Sequence, residues 1–236
     1  MANCYNDDSG GKHYGEKIFG TLTKSLIVGV GGRGLNALQR LSATQLITEM
    51  HIGISHEQKP LEIVKCKIKY KVELDEKDRF LSFEKMLEQN SLLNNRVIIV
   101  INGLGGESEI YVPELLEKIK RDDNLVFSII SLPFSFEAKE RHEKAKAYLK
   151  LIGKKSDIMA VLPNDSILRI ADKNTTLPEA LKMQDEVVMD LIDTINAIDE
   201  KMFATGITKY EDYIGRIIAD RVPEQMGYVN KNNTIT

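Results

Sequence analysis

The sequence Lys24-Ser-Leu-Ile-Val-Gly-Val-Gly-Gly-Arg-Gly-Leu-Asn-Ala37 carries the strongest structural signal in this chain. It predicts a buried strand from Ser25 to Val30, a glycine-rich turn, and the start of a helix. Glycine lets the backbone turn sharply and approach a ligand closely, and the next helix offers free N–H groups and the positive end of its dipole. The stretch therefore predicts a phosphate site or, equally, a turn that only packs a helix on a strand.

A second glycine-rich turn follows another apolar segment. Arg96-Val-Ile-Ile-Val-Ile101 is a continuous apolar run, typical of a strand covered on both faces, and Asn102-Gly-Leu-Gly-Gly106 follows it directly. The carboxyl ends of parallel strands meet at one edge of an open α/β sheet, where such sheets bind ligands. The two turns are therefore expected to lie side by side, which favours a nucleotide site over packing alone.

A strictly alternating segment predicts an edge strand. Between Val64 and Leu74, apolar side chains alternate with four lysines and a glutamate, which is the period of a half-buried strand. Four lysines on one face could bind a polyanion, but lysine also protects solvated edge strands from aggregation. We favour the edge strand, because no other part of the sequence stands out as basic.

The remaining patterns complete an alternation of strands and helices. A long helix is expected to begin after Thr176-Leu-Pro-Glu179, which has the capping-box form, and to continue to about Asp199. The other predicted elements are strands at 50–54, 125–132 and 157–162 and helices at about 79–89, 107–121, 133–153 and 210–221.

Composition limits the class of protein. The chain has 236 residues and a formal net charge of −3, which gives no electrostatic reason to expect nucleic acid or an anionic membrane as a partner. No apolar run approaches the roughly 20 residues that span a bilayer. Two cysteines far apart and the lack of an apolar leader indicate a cytoplasmic protein. The four histidines have no partner at metal-ligand spacing, so no metal site is expected.

Five separated motifs, in order and spacing, are similar to those of the FtsZ/tubulin superfamily. They are the two glycine turns, Pro133-Phe-Ser-Phe-Glu137, Leu162-Pro-Asn-Asp165 and Ala180-Leu-Lys-Met-Gln-Asp-Glu-Val-Val188. The resemblance implies a Rossmann-like, mostly parallel α/β sheet with helices on both faces and a long central helix. It covers about residues 22–220 and includes no counterpart of the family's second domain.

The domain prediction combines this resemblance with composition. Residues 1–20 are polar and lack periodicity, so they are expected to form a flexible arm. A nucleotide-binding domain is expected over 21–222, and a polar tail over 223–236.

The resemblance also implies a guanine-nucleotide site for GTP or GDP, with Mg²⁺ as a candidate companion. By this resemblance, the phosphate loops would contain Gly31, Gly32, Arg33 and Asn36 in the first turn and Gly103, Gly105, Gly106 and Ser108 in the second. Glu137 and Arg141 would face the ribose and phosphates, Asn164 and Asp185 would read the guanine edge, and Leu181 stands where the family stacks a phenylalanine on the base. Without the motifs, Glu137, Arg141 and Asp185 would be ordinary charges on helix surfaces.

The second turn departs from the family pattern of Gly-Gly-Gly-Thr-Gly-Thr/Ser-Gly. Here it continues Gly105-Gly-Glu-Ser-Glu109, which puts two carboxylates where phosphate oxygens would lie. At an effective dielectric of about 20, two like charges at about 4 Å cost on the order of 4 kcal/mol. The same glutamates suit the positive end of the next helix, so we expect the loop to cap itself. The family's glycine-rich γ-phosphate loop also has no counterpart between Glu73 and Asn94.

The hydrolytic loop of the family, Gly-x-x-Asn-x-Asp-x-x-Asp, is also altered. Its match, Gly206-Ile-Thr-Lys-Tyr-Glu-Asp-Tyr-Ile214, leaves only Glu211 or Asp212 as the carboxylate that would position water in a neighbouring subunit. Loss of a positioned carboxylate lowers the rate of hydrolysis. The resemblance therefore implies weak or lost hydrolysis, with function through self-association into an oligomer or filament or through association with an FtsZ-type partner.

Two alternatives stay open at the level of sequence. One is an active polymerising GTPase that uses Glu211 or Asp212 in trans. The other is a dinucleotide-dependent oxidoreductase, because the first turn resembles the dinucleotide fingerprint and Glu57 follows at the distance expected of the ribose-binding acid.

Overall fold

The computed structural model describes residues 25–43, 50–93, 97–121, 124–172, 174–205 and 228–231. The strands are β1 (Leu26–Val30), β2 (His51–Ser55), β3 (Ile68–Lys71), β4 (Val97–Gly103), β5 (Leu125–Leu132), β6 (Ile158–Pro163) and β7 (Tyr228–Lys231). The helices are α1 (Gly31–Leu41), α2 (Gln58–Ile63), α3 (Leu81–Gln89), α4 (Val112–Ile119), α5 (Lys139–Lys155), α6 (Asp165–Ile170) and α7 (Leu177–Thr205), with a 3₁₀ turn at Glu107–Ile110.

One sheet contains all seven strands in the order β3-β2-β1-β4-β5-β6-β7. β1 to β6 are parallel, and β7 runs antiparallel along β6. The order reverses between β1 and β4, which makes the carboxyl ends of these two strands the switch point where open α/β sheets bind ligands. The predicted Rossmann-like, mostly parallel sheet is confirmed.

Helices cover both faces of the sheet, as predicted. On one face, α3, α4 and α5 bury apolar side chains against the strands, and on the other face α1, α2 and α7 do so. β1 and β4 contribute buried residues to both clusters, because alternate side chains of a strand point to opposite faces. The core therefore has two layers, and the central strands β1 and β4 supply apolar side chains to both of them.

The long helix α7 has 29 residues, so at about 1.5 Å per residue it is roughly 43 Å long. Its start has one half of the predicted capping box, since the Glu179 carboxylate accepts the Thr176 N–H at 2.8 Å. The Thr176 hydroxyl donates to the same carboxylate at 2.7 Å. The helix continues past the predicted end at Asp199.

The lysine-rich segment lies at the sheet edge, as predicted. β3 is the first strand in the order, and its two lysines are exposed, as are those that precede it. Regular pairing with β2 is limited to Ile68–Lys71, so the strand is shorter than the alternation indicated.

The structure corrects two boundaries. The helix expected to open at Pro133 begins at Lys139, because Glu137 closes a turn with Phe134: its carboxylate accepts the Phe134 N–H at 2.7 Å, and its own N–H donates to the Phe134 carbonyl at 2.9 Å. Within the expected polar tail, Tyr228–Lys231 forms β7, because the edge of β6 offers unpaired backbone groups to any extended segment.

Some expectations lie outside the described residues. These are the N-terminal arm, the helix at 210–221, and the loop that contains Glu211 and Asp212. Among the described helices, none combines the length and apolarity required for a membrane crossing.

Candidate functional site

The first glycine turn passes from β1 into α1 without an intervening loop. No side chain caps the N-terminus of α1, so its first N–H groups are available to an anion. Gly31 has φ of 65°, and a Cβ there would lie 2.5 Å from the Ser108 hydroxyl oxygen. A Cβ on Gly34 would overlap the carbonyl oxygen of Ile101. Gly31 and Gly34 therefore serve close packing, whereas a Cβ added at Gly32 would meet no atom within 4 Å.

The side chain of Asn102 connects the two glycine turns through hydrogen bonds. It is fully buried at the end of β4 and donates to the Val30 carbonyl and to the Ser108 hydroxyl, both at 3.0 Å. These contacts fix the end of β1 to β4 and hold the second turn over Gly31. Asn102 is not among the predicted site residues, although a polar residue directly after a five-residue apolar run is a signal for a site role.

The second glycine turn is capped by its own glutamate. The Glu109 carboxylate accepts the Gly105 N–H at 2.7 Å, and Gly105 has φ of 90°. The Glu109 side chain is buried, and burial raises the pKa of its carboxyl group above the usual range. The loop is therefore capped by Glu109 at Gly105, whereas the start of the next helix, where the glutamates were expected, has no side-chain cap. Glu107 instead remains exposed, with its carboxylate 2.9 Å from Nε2 of His56.

Glu137 and Arg141 lie together beside the second turn. The Arg141 guanidinium is 2.8 Å from the Glu137 carboxylate, and its Nε donates to the Gly105 carbonyl at 2.7 Å. Arg141 thus links α5 to the second turn. Both residues line the cavity described below, but their charges are already paired with each other.

Asn164 lies between β6 and α6 and also faces the cavity. Its side-chain carbonyl oxygen is buried and accepts no hydrogen bond from the described residues. A buried acceptor without a donor is costly, so this amide is suited to a ligand that brings a donor. Of the predicted base-reading pair, Asn164 is in place to contact a ligand.

Asp185 has a different environment. It lies on α7 and its side chain is 3% exposed, with ion pairs to the guanidinium groups of Arg33 and Arg40. Burial raises the pKa of the Asp185 carboxyl group, and the two arginines oppose that rise. Burial likewise lowers the pKa of Arg33, against the effect of Asp185. Asp185 therefore holds Arg33 in position and does not line the cavity in this state.

One cavity of about 310 Å³ opens at the carboxyl ends of the parallel strands. Nine predicted site residues line it, namely Gly31, Gly32, Arg33, Gly103, Gly106, Ser108, Glu137, Arg141 and Asn164. The structure brings together both glycine turns and the segments after β5 and β6. Outside the lining are Asn36, which is exposed, Gly105, whose N–H donates to Glu109 and whose carbonyl accepts from Arg141, and Leu181 and Asp185 on α7.

The cavity is also lined by seven residues outside the predicted set of nucleotide-site residues, although Glu57 was a candidate ribose-binding acid and Glu107 was expected near the phosphates. The seven are Ser55, His56, Glu57, Leu104, Glu107, Ser131 and Pro133. Their common signal is position, since each lies at or just after the carboxyl end of β2, β4 or β5. Within the lining, Arg33 and Arg141 are each paired with a carboxylate, and His56 contacts Glu107. A ligand phosphate must therefore compete with carboxylates for these groups.

Comparisons with known proteins identify the fold. No protein-family model matches the sequence. Solved structures with a similar fold include an empty FtsZ dimer from M. jannaschii, with 23% identity, a TM-score of 0.62 and coverage of 78% of this chain and 57% of that chain. TubZ of Clostridium botulinum phage c-st has 17% identity, a TM-score of 0.58 and coverage of 80% and 67%.

A third similar structure is a GTPγS-bound protofilament of CetZ2 from Haloferax volcanii. It has 16% identity, a TM-score of 0.57 and coverage of 76% of this chain and 59% of that chain. The chain thus spans less than two thirds of the FtsZ and CetZ2 chains that it matches. With six parallel strands and this set of structural neighbours, the chain has an FtsZ/tubulin-like fold.

Proposed function

We propose that this chain binds a guanine nucleotide, weakly or as the diphosphate, hydrolyses it slowly or not at all, and acts through association with itself or with FtsZ-type filaments. The observation that carries the proposal is the cavity at the switch point of the sheet, lined by nine residues of the predicted nucleotide site. The fold supports it, because the similar CetZ2 structure is a GTPγS-bound protofilament.

The two turns offer different contacts to a nucleotide. The uncapped N-terminus of α1, at Gly31 and Gly32, would bind a phosphate group through backbone N–H donors. Arg141 would supply charge to the phosphates or ribose, and Asn164 would supply its unpartnered amide oxygen to an N–H of the base. Each of these groups lines the cavity without rearrangement.

The remaining contacts require a change. Glu109 occupies the Gly105 N–H, so the second turn cannot also donate that group to a γ-phosphate. Asp185 must loosen its ion pair with Arg33 before it can accept from guanine. Both rearrangements subtract from the binding free energy, which is why we propose weak binding and a preference for the diphosphate.

Magnesium is expected to bind only together with the nucleotide. Within the described residues, no group of three or more His, Cys, Asp or Glu side chains could hold a metal ion. Glu57 and Glu107 nevertheless bring carboxylate oxygens, the ligand type that Mg²⁺ prefers, to the mouth of the cavity. Glu57 and Glu107 would hold a Mg²⁺ ion that arrives with the nucleotide, and its positive charge would reduce their repulsion from the phosphates.

Two other functions would use the same cavity. An active polymerising GTPase would need Glu211 or Asp212 from a neighbouring copy. A dinucleotide-dependent oxidoreductase is favoured by one observation: Glu57 lines the cavity just after β2, where an acid would bind a ribose. Preferential binding of a nicotinamide dinucleotide over GDP would support the oxidoreductase.

The test is nucleotide content and affinity. Purified protein is denatured and any released nucleotide identified by chromatography, after which GTP, GDP, ATP and NAD are titrated with and without Mg²⁺. We expect GDP and GTP to bind more tightly than ATP and NAD. No binding at millimolar ligand would contradict the proposal.

Matched variants locate the site. Arg141→Gln removes a cavity guanidinium and should weaken nucleotide binding, whereas Arg169→Gln, on the exposed side of α6, should not. Asp185→Asn should reduce the preference for GDP over ADP, whereas Asp190→Asn, on the exposed face of the same helix, should leave it unchanged. Equal effects of a site variant and its control would count against a guanine site here.

A further inference from the structure

Two rows of charged side chains lie on the outer surfaces of α5 and α7. The basic row consists of Lys146, Lys150 and Lys154, and the acidic row of Glu186, Asp190 and Asp193. All six residues are exposed, and none forms an ion pair with another described residue, unlike neighbours such as Lys139 and Lys155. The rows are therefore free to interact with another molecule.

The basic row corrects an expectation from sequence. We judged the lysine-rich edge strand to be the only basic feature, but α5 has six lysines and one arginine against two glutamates. Helical spacing concealed this concentration, because Lys146, Lys150 and Lys154 recur every fourth residue instead of every second one. On the folded helix, Lys146, Lys150 and Lys154 at i, i+4 and i+8 form one continuous line.

The two rows face in opposite directions. Ala145, Leu149 and Ile152 of α5 pack into the core layer on one face of the sheet, and Val188, Leu191 and Ile195 of α7 pack into the layer on the other face. The charged rows lie away from these buried sides. They therefore cannot pair with each other inside one molecule.

The rows are also matched in length. At about 1.5 Å per residue, the basic row extends along its helix by about 12 Å and the acidic row by about 10 Å. Each places three charges on one helix surface at spacings of three or four residues. Each lysine of one row can thus meet a carboxylate of the other row in a single contact between two helices.

No ion pair within the described part of the chain compensates the repulsion within each row. Like charges at i, i+4 destabilise a helix by about 0.2–0.5 kcal/mol per pair. Burial and the neighbouring charge of Asp190 both raise the pKa of Asp193, which is the effect expected of crowded carboxylates. Cations brought close to this row would relieve the repulsion.

We propose that the basic row of one copy of this chain docks on the acidic row of a second copy. The inference rests on the self-association part of the proposed function and names a surface for it. Because the two surfaces differ, the contact is heterologous and can repeat from copy to copy. Leu151, beside the basic row and 43% exposed, adds apolar area to the contact.

This contact leaves the cavity accessible. The cavity lies at the carboxyl ends of the strands, whereas the two rows lie over the faces of the sheet. Copies would therefore stack in the direction perpendicular to the sheet. Association through these rows does not require nucleotide.

The test uses charge reversal and mixing. The basic-row reversal is Lys146→Glu, Lys150→Glu and Lys154→Glu, and the acidic-row reversal is Glu186→Lys, Asp190→Lys and Asp193→Lys. Each variant alone carries the same charge sign on both rows and should associate at least about tenfold more weakly than the wild type. An equimolar mixture of the two variants should associate again, because every contact between one variant and the other pairs an acidic row with a basic row.

Sedimentation velocity of nucleotide-free protein measures the effect. We expect wild-type association at about 0.05 M salt and its loss at about 0.5 M, where screening shortens the Debye length to a few Å. Lys65→Glu, Lys67→Glu and Lys69→Glu make the same charge change near the sheet edge and should not affect association. Circular dichroism confirms that each variant is folded.

The outcomes separate this inference from the proposed function. A wild-type monomer at low salt, association unaffected by either reversal, or folded variants that fail to associate when mixed would each overturn the docking of these rows. Nucleotide-dependent association that survives both reversals would overturn it while supporting the proposed function. Salt-sensitive association without any nucleotide binding would support the rows and contradict the guanine site.

Discussion

The two glycine turns lie side by side but are stabilised in different ways. The first places Arg33 against Asp185, which comes from α7 and is 152 residues away in sequence. The second caps its Gly105 N–H with Glu109, only four residues away. The arginine of the first turn therefore depends on a partner from a distant helix, whereas the Gly105 N–H of the second turn is occupied by a residue of its own loop.

The difference shows how similar sequence motifs can have different functions. A turn stabilised from a distance keeps its own N–H groups free, and the start of α1 has no side-chain cap. A turn that supplies its own carboxylate has already used a donor that a phosphate would need. We therefore expect the first turn to bind ligand and the second to limit which ligand binds.

The largest predicted effect comes from breaking the long-range support of the first turn. Asp185→Ala leaves the buried Arg33 guanidinium without its carboxylate, and loss of one partner of a buried ion pair costs about 3–5 kcal/mol. Chemical denaturation measures the free energy of unfolding. Arg40→Gln removes the more exposed partner and should cost about 1 kcal/mol or less. Similar losses for both variants would mean that burial of Arg33 does not matter.

A second variant tests the packing beneath the first turn. A Cβ on Gly34 would overlap the Ile101 carbonyl oxygen and lie 2.7 Å from the Gly29 carbonyl carbon, so Gly34→Ala should destabilise the fold by about 1–3 kcal/mol. At Gly32 an added Cβ meets no atom within 4 Å, so Gly32→Ala should change stability by less than about 0.5 kcal/mol. Equal thermal unfolding of the two variants would contradict this packing account.

Mutations in the second turn should affect only its own loop and the cavity beside it. Glu109→Ala releases the Gly105 N–H and removes a carboxylate near the cavity, so we expect tighter GDP binding and a stability loss of about 1 kcal/mol. Hydrogen exchange should accelerate in residues 104–110 and not in β1. Glu107→Ala, which removes an exposed carboxylate, should also tighten binding without changing stability. Weaker binding by the Glu109 variant would show that the cap instead organises the phosphate site.

The smallest effect is a pH dependence. Burial raises the pKa of Glu109 in the folded state, so the folded protein binds that proton more tightly than the unfolded chain does. The stability that Glu109 contributes is therefore fully present below the ordinary glutamate pKa and declines as pH rises through the raised value. The free energy of unfolding of the wild type, relative to Glu109→Gln, should fall as the pH rises above the ordinary glutamate pKa. A relative rise over this range would contradict the assignment.

The fold could be predicted from the sequence because burial and helix capping each require a recognisable pattern of residue types. Apolar runs at β1, β4 and β5 indicated strands covered on both faces, and the capping box located the start of α7. The start of α5 was misplaced, because Glu137 can stabilise either a first helical turn or the closed turn that forms here. β7 was missed, because four residues are too few to show a period.

The site was predicted in part. Nine of the predicted residues follow strand ends and line one cavity, as the topology requires. The Arg33–Asp185 pair could not be predicted, because the sequence does not show which residues of α1 lie opposite which residues of α7. The same is true of His56 and Glu107, whose contact depends on how two loops approach each other.

The antiparallel pairing of β7 has a consequence for synthesis of the protein on the ribosome. Its register pairs Ile158 with Lys231, so the edge of β6 emerges well before the strand that covers it. During translation the nascent chain therefore exposes an unpaired, largely apolar strand edge to neighbouring chains on the same polysome. Chaperone contact with this edge, or a pause in translation, would then influence the yield of folded protein.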